Sequence, residues 1–178
     1  MSAPQPTVKE NLSVARALHE RRAIKQFDPE HAMPEEDFRY LMEHVLLSPT
    51  AFNIQHWRFV RVTDTALRQK VREAAFDQPQ ITEASELLVL CFDRDAWKKD
   101  PARYWDSAPE EVAEFVVGAI GNYYEGHEQA QRDEGMRSCG IAAQSLMLMA
   151  REMGYDTCPM DLGDLGAIGR ILNLPDDH

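Results

Sequence analysis

Cysteine is scarce in this chain: Cys91, Cys139 and Cys158 are the only three in 178 residues. An odd number without C-x-x-C spacing excludes a disulfide framework and a cysteine-based zinc site. Free, mostly buried thiols in a reducing cytoplasm are the expectation. No run of about 18 apolar residues occurs, so no membrane-spanning helix is expected. Residues 1–7 are polar and proline-rich, without the apolar core of a signal peptide. There is no internal repeat at solenoid periods. No G-x-G-x-x-G follows a strand-like run, which leaves no Rossmann site for a nicotinamide cofactor. Gly163, Gly166 and Gly169 recur every third residue, but without the Lys-Ser or Lys-Thr of a phosphate loop they read as a loop and a close-packed short helix. Ser48, Ser85 and Ser138 lack a nucleophile-elbow context, and the six histidines show no H-E-x-x-H spacing, so no metal ligands are assigned. Positive charge is also in short supply, with 19 Lys and Arg against 30 Asp and Glu and a net charge of −11. Such a field repels nucleic acid and anionic membranes. The few clustered cations therefore stand out.

What is present fits one domain over residues 1–178, with residues 1–10 as a disordered arm. Asn11 or Ser13 can cap a first helix carrying Val14, Ala17 and Leu18. Pro34, Glu35, Glu36 and Asp37 open a second, with an apolar stripe of Phe38, Leu41, Met42, Val45 and Leu46. Residues 57–62 read as a strand, residues 67–75 as a third helix with Thr65 as its cap, and residues 87–92 as a strand covered on both faces. Residues 101–109 look like a connection that exposes Trp97, Tyr104 and Trp105 as a mobile flap. Residues 110–132 read as one long helix. Residues 141–153 are apolar on nearly every side, and such a helix must be buried all round. A second subunit covering one face achieves this, and a fully central helix in a monomer is the alternative. After Gly154 a short strand is expected. Helices with few strands make the fold class α+β, with a central mostly antiparallel sheet flanked by helices.

Two cassettes carry the chemistry. Arg21, Arg22 and Lys25 place three cations within five residues, at the end of the first helix. Arginine forks match phosphate oxygens and lysine adds a compact charge, although cations at a helix C-terminus also simply complement its dipole. Residues 48–57 then offer Pro49, Thr50, Ala51, Asn53 and Gln55 before an aromatic strand. Small residues permit close approach, and amides both donate and accept. A ligand with a phosphate at one end and a flat hydrogen-bonding ring at the other suits the pair. Flavin mononucleotide (FMN) fits that description.

The pattern R-R-A-I-K-x-F followed by L-S-P-T-A-F-N-x-Q-x-W-R-F-V resembles the nitroreductase family of FMN-dependent NAD(P)H oxidoreductases. Residues 76–85 and 154–160 fall in the family's order and spacing, so the resemblance runs from Val14 to Pro175. It implies a homodimer with FMN at the interface and NADH or NADPH as electron donor. The oxidant would be a small molecule such as a nitroaromatic, quinone or activated enone, reduced by ping-pong hydride transfer at the flavin N5 with no catalytic side chain. By the same resemblance Arg21, Arg22 and Lys25 hold the phosphate and ribityl chain with the Ala23 backbone. Pro49, Thr50, Ala51 and Asn53 come from the other subunit. Asp77 and Gln80 meet the flavin ring, the backbone of Met160 and the acid Asp161 sit near N5, and Phe76, Tyr123 and Tyr124 line the substrate space.

Four departures from the family pattern stand out. His56 replaces a proline, which loosens the loop. Asp77 stands where an amide is common, and Asp161-Leu162-Gly163-Asp164 stands where an acid is often followed by Gly-Phe-Asp. The family's usual C-terminal strand-exchange segment does not follow residue 178. Either the sequence is abbreviated or FMN is held with fewer contacts, each lost phosphate contact costing about 1.5 to 3 kcal/mol. Alternatives on the same fold are a non-catalytic or regulatory flavin-binding dimer, or a reductive dehalogenase or flavin-fragmenting relative.

Overall fold

The structure, a computed structural model, describes residues 12–178. The expected N-terminal arm and Asn11 as a cap lie outside these residues. Trp57–Arg61 (β1) and Leu88–Phe92 (β2) pair antiparallel, with Trp57 opposite Phe92, Phe59 opposite Leu90 and Val60 opposite Val89. Successive side chains of a strand point to opposite faces. Trp57, Phe59 and Leu90 accordingly pack on one face with Leu41, Val45, Ala142, Ala150 and Met153. Val60 and Val89 pack on the other with Val71, Ala75, Ile81 and Ile168. The expected two-sided cover of residues 87–92 is present.

The covering helices are Glu35–Val45 (α2) and Glu128–Glu152 (α6) on the first face, with Thr65–Ala74 (α3), Gln80–Glu83 (α4) and Leu165–Ile171 (α7) on the second. Val14–Glu20 (α1) leans on α6 and is capped by Ser13, whose Oγ accepts from the Arg16 amide at 3.2 Å. The α+β class and helical flanks are as expected, but among the described residues the sheet has two strands. The strand expected after Gly154 is reduced to a single parallel bridge between Ala23 and Thr157.

Other expectations are corrected. The cap of α3 is Asp64, not Thr65: its Oδ1 accepts from the Leu67 amide at 2.7 Å, a charge-assisted bond, and Thr65 has already entered the helix. Residues 110–132 form two helices, Glu110–Tyr124 (α5) and the first part of α6. Between them Gly126 takes φ +72°, which a residue with a Cβ resists. The apolar residues 141–153 are thus only the second half of a 25-residue helix. It closes in a Schellman motif, with Gly154 at φ +87° and the Tyr155 amide donating to the Ala150 carbonyl at 2.8 Å. Inside α6, a Cβ on Gly135 would stand 2.3 Å from Cδ2 of Phe92, so glycine is what lets the helix sit against β2.

The segment read as an exposed flap is folded down. Ala96–Lys98 and Pro101–Tyr104 are 3-10 turns, and Trp97 stacks on Tyr124 with ring centroids 5.9 Å apart. Trp97, Tyr104 and Trp105 are all half-buried. Apolar rings find more contact area against α5 than in solvent.

Candidate functional site

The first cassette begins where α1 ends. Arg21 is the C-cap, and the Arg22 guanidinium donates to the carbonyls of His19 and Arg21 at 2.7 Å, serving the helix end as the dipole argument anticipates. Among the described residues none of Arg21, Arg22 and Lys25 has a carboxylate partner. Glu20 beside them is taken by Arg16 and Arg151. Arg22, Ala23 and Lys25 are exposed. The Ala23 bridge, with the Ile24 amide donating to the Thr157 carbonyl at 3.0 Å, fixes this segment beside residues 157–161. The Thr157 hydroxyl there is buried with no hydrogen-bond partner.

Residues 76–80 reach the same segment from the other side. Gln78 Nε2 donates to the Asp161 carbonyl at 3.1 Å, and Gln80, 5% exposed, lies 3.8 Å from Cys158 Sγ. The Phe76 ring covers Gly163, where a Cβ would stand 2.6 Å from its Cζ. The Phe76 ring is otherwise open to solvent, while Met160 turns inward against the Val71 and Ile81 core. Asp161 Oδ1 accepts from the Gly163 amide at 3.0 Å, which shapes that loop. Asp77 is not a free carboxylate: Arg72 Nε lies 2.7 Å from its Oδ1. Two of the anticipated segments, residues 21–25 and 76–80, therefore both contact a third, residues 157–161.

The second cassette stands apart from them. Thr50 Oγ1 accepts from the Gln55 amide at 2.9 Å and the Gln55 side chain donates to Asn53 Oδ1 at 3.3 Å, so the loop is tied to itself. Pro49 and Asn53 are exposed, with Thr50 and Ala51 half-buried. Among the described residues no hydrogen bond or ion pair joins it to residues 21–25. Phe52, Asn53, Gln55, Phe76 and Asp77 all have φ between 52° and 59°. Five of the seven described non-glycine residues in this costly region thus fall in two loops singled out from sequence. Such strain persists where surrounding structure holds it, and it concentrates at functional sites.

The two tyrosines part company. Tyr124 is fully buried among Ile54, Ala96 and Ile120, its pKa raised by burial, and offers no surface to a ligand. Tyr123 is 42% exposed and donates to Glu134 at 3.1 Å. It lines a cleft of about 630 Å³ with Phe52, Glu114, Phe115, Gly118 and Ala119.

Two features escaped sequence reading. His56, taken for a loosening residue, is fully buried, with Nδ1 3.3 Å from Ser138 Oγ and Nε2 unpartnered, and burial pushes its pKa down to about 4. Its apolar neighbours Ile54 and Trp57 were the available signal. Asp93, Asp177 and His178 form a potential ligand trio, but Lys99 Nζ stands 2.9 Å from Asp93 and 2.6 Å from Asp177, the place a metal cation would take. Burial raises the thiol pKa of Cys91, and that of Cys139 to about 12; all three cysteines are free and half-buried. No described helix is long and apolar enough to cross a membrane.

Known proteins resemble this chain along most of its length. The sequence pattern of the Nitroreductase family matches residues 18–178. Protein DrgA of Synechocystis is 49% identical over 162 residues, covering 91% of this chain and 77% of the relative. MhqN of Bacillus subtilis, provisionally named an NAD(P)H nitroreductase, is 33% identical over 165 residues, covering 89% and 80%. A crystal structure from Exiguobacterium sibiricum, in complex with FMN, superposes with a TM-score of 0.86 at 26% identity, covering 96% of this chain and 85% of that one.

Proposed function

The chain belongs to the nitroreductase family, and on that premise we propose that it is an FMN-dependent NAD(P)H oxidoreductase whose cofactor site is completed by a second copy of the same chain. The observation that carries the reading is the convergence of residues 21–25, 76–80 and 157–161. It presents three cations without carboxylate partners beside a buried, unpartnered Thr157 hydroxyl. That donor set fits the phosphate and ribityl hydroxyls of FMN. The strained backbone of residues 52–55 and 76–77 supports the assignment of those loops to the ring.

FMN, when bound, supplies the hydride chemistry between NAD(P)H and a small oxidant such as a nitroaromatic, a quinone or an activated enone. The protein's part is to bind, orient and exclude water. Arg21, Arg22 and Lys25 take the phosphate and, as positive charges, favour an anionic reduced cofactor. Ala23 contributes its backbone, and Gln80 an amide already held by burial. Asp77 reaches the site as one half of an ion pair with Arg72, which removes the penalty of placing a bare carboxylate where an amide is common. Met160 and Asp161 lend backbone and carboxylate to the reacting edge, with Phe76 as an adjacent wall. No side chain is assigned to proton transfer.

The separation of Pro49, Thr50, Ala51 and Asn53 from the cation segment supports their service to the partner's site. A homodimer is further supported by Val14, Leu18 and Leu47, exposed at 70%, 51% and 79%, and by Leu146, Met147, Leu148 and Met149 of α6, which are half-buried in the single chain. The test is the visible spectrum of the purified protein followed by anaerobic addition of NADH or NADPH. A yellow protein bleached by one of them and re-coloured by a nitroaromatic is expected. A colourless protein that takes up no added FMN sinks the proposal.

A further inference from the structure

Arg72 lies in the last turn of α3, where a cation ordinarily does no more than complement the helix dipole. Its guanidinium is instead spent on two residues beyond the helix. Nε lies 2.7 Å from Asp77 Oδ1 and Nη1 donates to Thr82 Oγ1 at 2.9 Å, so one side chain spans the loop from residue 77 to residue 82. The Arg72 carbonyl accepts from the Asp77 amide at 3.0 Å, which ties Asp77 to the same residue through its backbone as well. Thr82 Oγ1 in turn donates to the Pro79 carbonyl at 3.1 Å. Ala75 and Gln80 are buried but none of residues 76–79 between them is, so the core does not hold that stretch. Phe76 and Asp77 nonetheless stand at φ 59° and 52°, a conformation that non-glycine residues keep only where something holds them in it.

We propose that Arg72 is the positioning residue of the loop assigned to the cofactor ring: it brackets residues 77–82 and thereby sets how the loop meets residues 158–163. That meeting has three points. The Phe76 ring covers Gly163, Gln78 Nε2 donates to the Asp161 carbonyl at 3.1 Å, and Gln80 Nε2 lies 3.8 Å from Cys158 Sγ. All three side chains leave the backbone inside the bracket or beside it. Arginine suits the task and lysine does not, because a planar fork offers separate N–H groups to the carboxylate and the hydroxyl, whereas an ammonium is a single point charge. The Asp77 side chain is 75% exposed, so as an ion pair alone the contact contributes little; its effect is on the local backbone and on the charge that Asp77 presents. Paired with Arg72, that carboxylate stands beside the loop with its counter-charge attached. The proposal rests on the oxidoreductase reading above only in assigning this loop to the flavin.

The experiment compares the full chain with Arg72→Met, Arg72→Lys and the double variant Arg72→Met/Asp77→Asn. Amide hydrogen exchange is followed first without FMN, in residues 76–82 and, as a reference, in residues 57–61 of β1. Arg72→Met should speed exchange in the loop about two- to fivefold and leave the strand unchanged. Arg72→Lys, which can pair with Asp77 but not also reach Thr82, should recover only part of the protection. The flavin reduction potential is then measured on the FMN-loaded samples. Arg72→Met should shift it to more negative values, because Asp77 is left as an unpaired carboxylate. The double variant should return it toward wild type, and Arg72→Lys should hold it there, a pattern that general loosening of the fold does not produce. Wild-type exchange in Arg72→Met, or equal acceleration in loop and strand, overturns the proposal. Faster loop exchange with an unchanged potential upholds the bracket and removes the loop from the flavin ring. If no sample takes up FMN the oxidoreductase reading falls, and exchange alone decides the bracket.

Discussion

At the scale of single residues, burial decides what a side chain does more than its identity. His56 looks like a polar interruption of an apolar stretch, yet it is sealed between β1, α5 and α6 as a neutral ring. Glu134 and Asp93 oppose the downward shift and Arg58 adds to it, but loss of hydration dominates and sets the pKa at about 4, against an ordinary 6.5. The folded pKa lies below the unfolded one, so the unfolded chain takes up the proton first as pH falls. Stability is therefore complete above about pH 6.5 and drains between there and about 4, by about 3 kcal/mol in all. Urea unfolding at pH 7.5 and pH 5 should show this loss, and His56→Leu should flatten it. An equal slope in the variant assigns the acid sensitivity to other groups. Tyr124, adjacent to Tyr123 and alike in sequence, is core rather than surface for the same reason. A helix turns about 100° per residue, and α5 presents one ring to Ile54 and the next to the cleft.

At the scale of elements, the periodic and capped segments were legible. Residues 35–45 carried their acids at the start and an apolar stripe, and they form α2 as read. Less visible were the places where one residue redirects the chain. Gly126 splits what periodicity joined, because apolar spacing runs on through a glycine that the backbone uses as a turn. Gly135 has the opposite role, keeping α6 continuous while opening its surface to Phe92. Gly135→Ala, which raises helix propensity, should nonetheless destabilise the protein by about 1 to 3 kcal/mol, because the added methyl drives into the half-buried Phe92 ring. Thermal or urea unfolding measures this. A variant more stable than wild type would show that the Phe92 ring moves aside freely.

At the scale of the molecule, one chain holds two halves of the proposed site that, among the described residues, no hydrogen bond or ion pair joins. Residues 157–161 meet residues 21–25 at Thr157 and residues 76–80 at Cys158 and Asp161, while residues 49–55 turn toward α5. Exposed Val14, Leu18, Leu46 and Leu47 supply apolar surface that a partner would cover. Leu47→Lys, at a position 79% exposed in one chain, should cost no monomer stability but should weaken self-association about tenfold or more, from the lost burial of one leucine. Sedimentation velocity over a concentration series reads this, together with FMN retention on gel filtration. A variant that stays dimeric and yellow would place the interface elsewhere.

The sequence by itself determined the helices with clear periodicity, the two strands, the sparse clustered cations and the family, because these are written in local spacing and in motif order. It also marked the loops at residues 49–55 and 76–80, though not their strain, which arises only when Thr50 and Arg72 bond across them. Tertiary structure alone decided that Asp64 rather than Thr65 caps α3, that Trp97 folds onto Tyr124, and that Asp77 is paired with Arg72. It alone decided that Ala23 and Thr157, over 130 residues apart, lie side by side. The physical reason is common to all four. Each is settled by which atoms are brought close in space, and the chain's folding onto both faces of β1 and β2 brings them there.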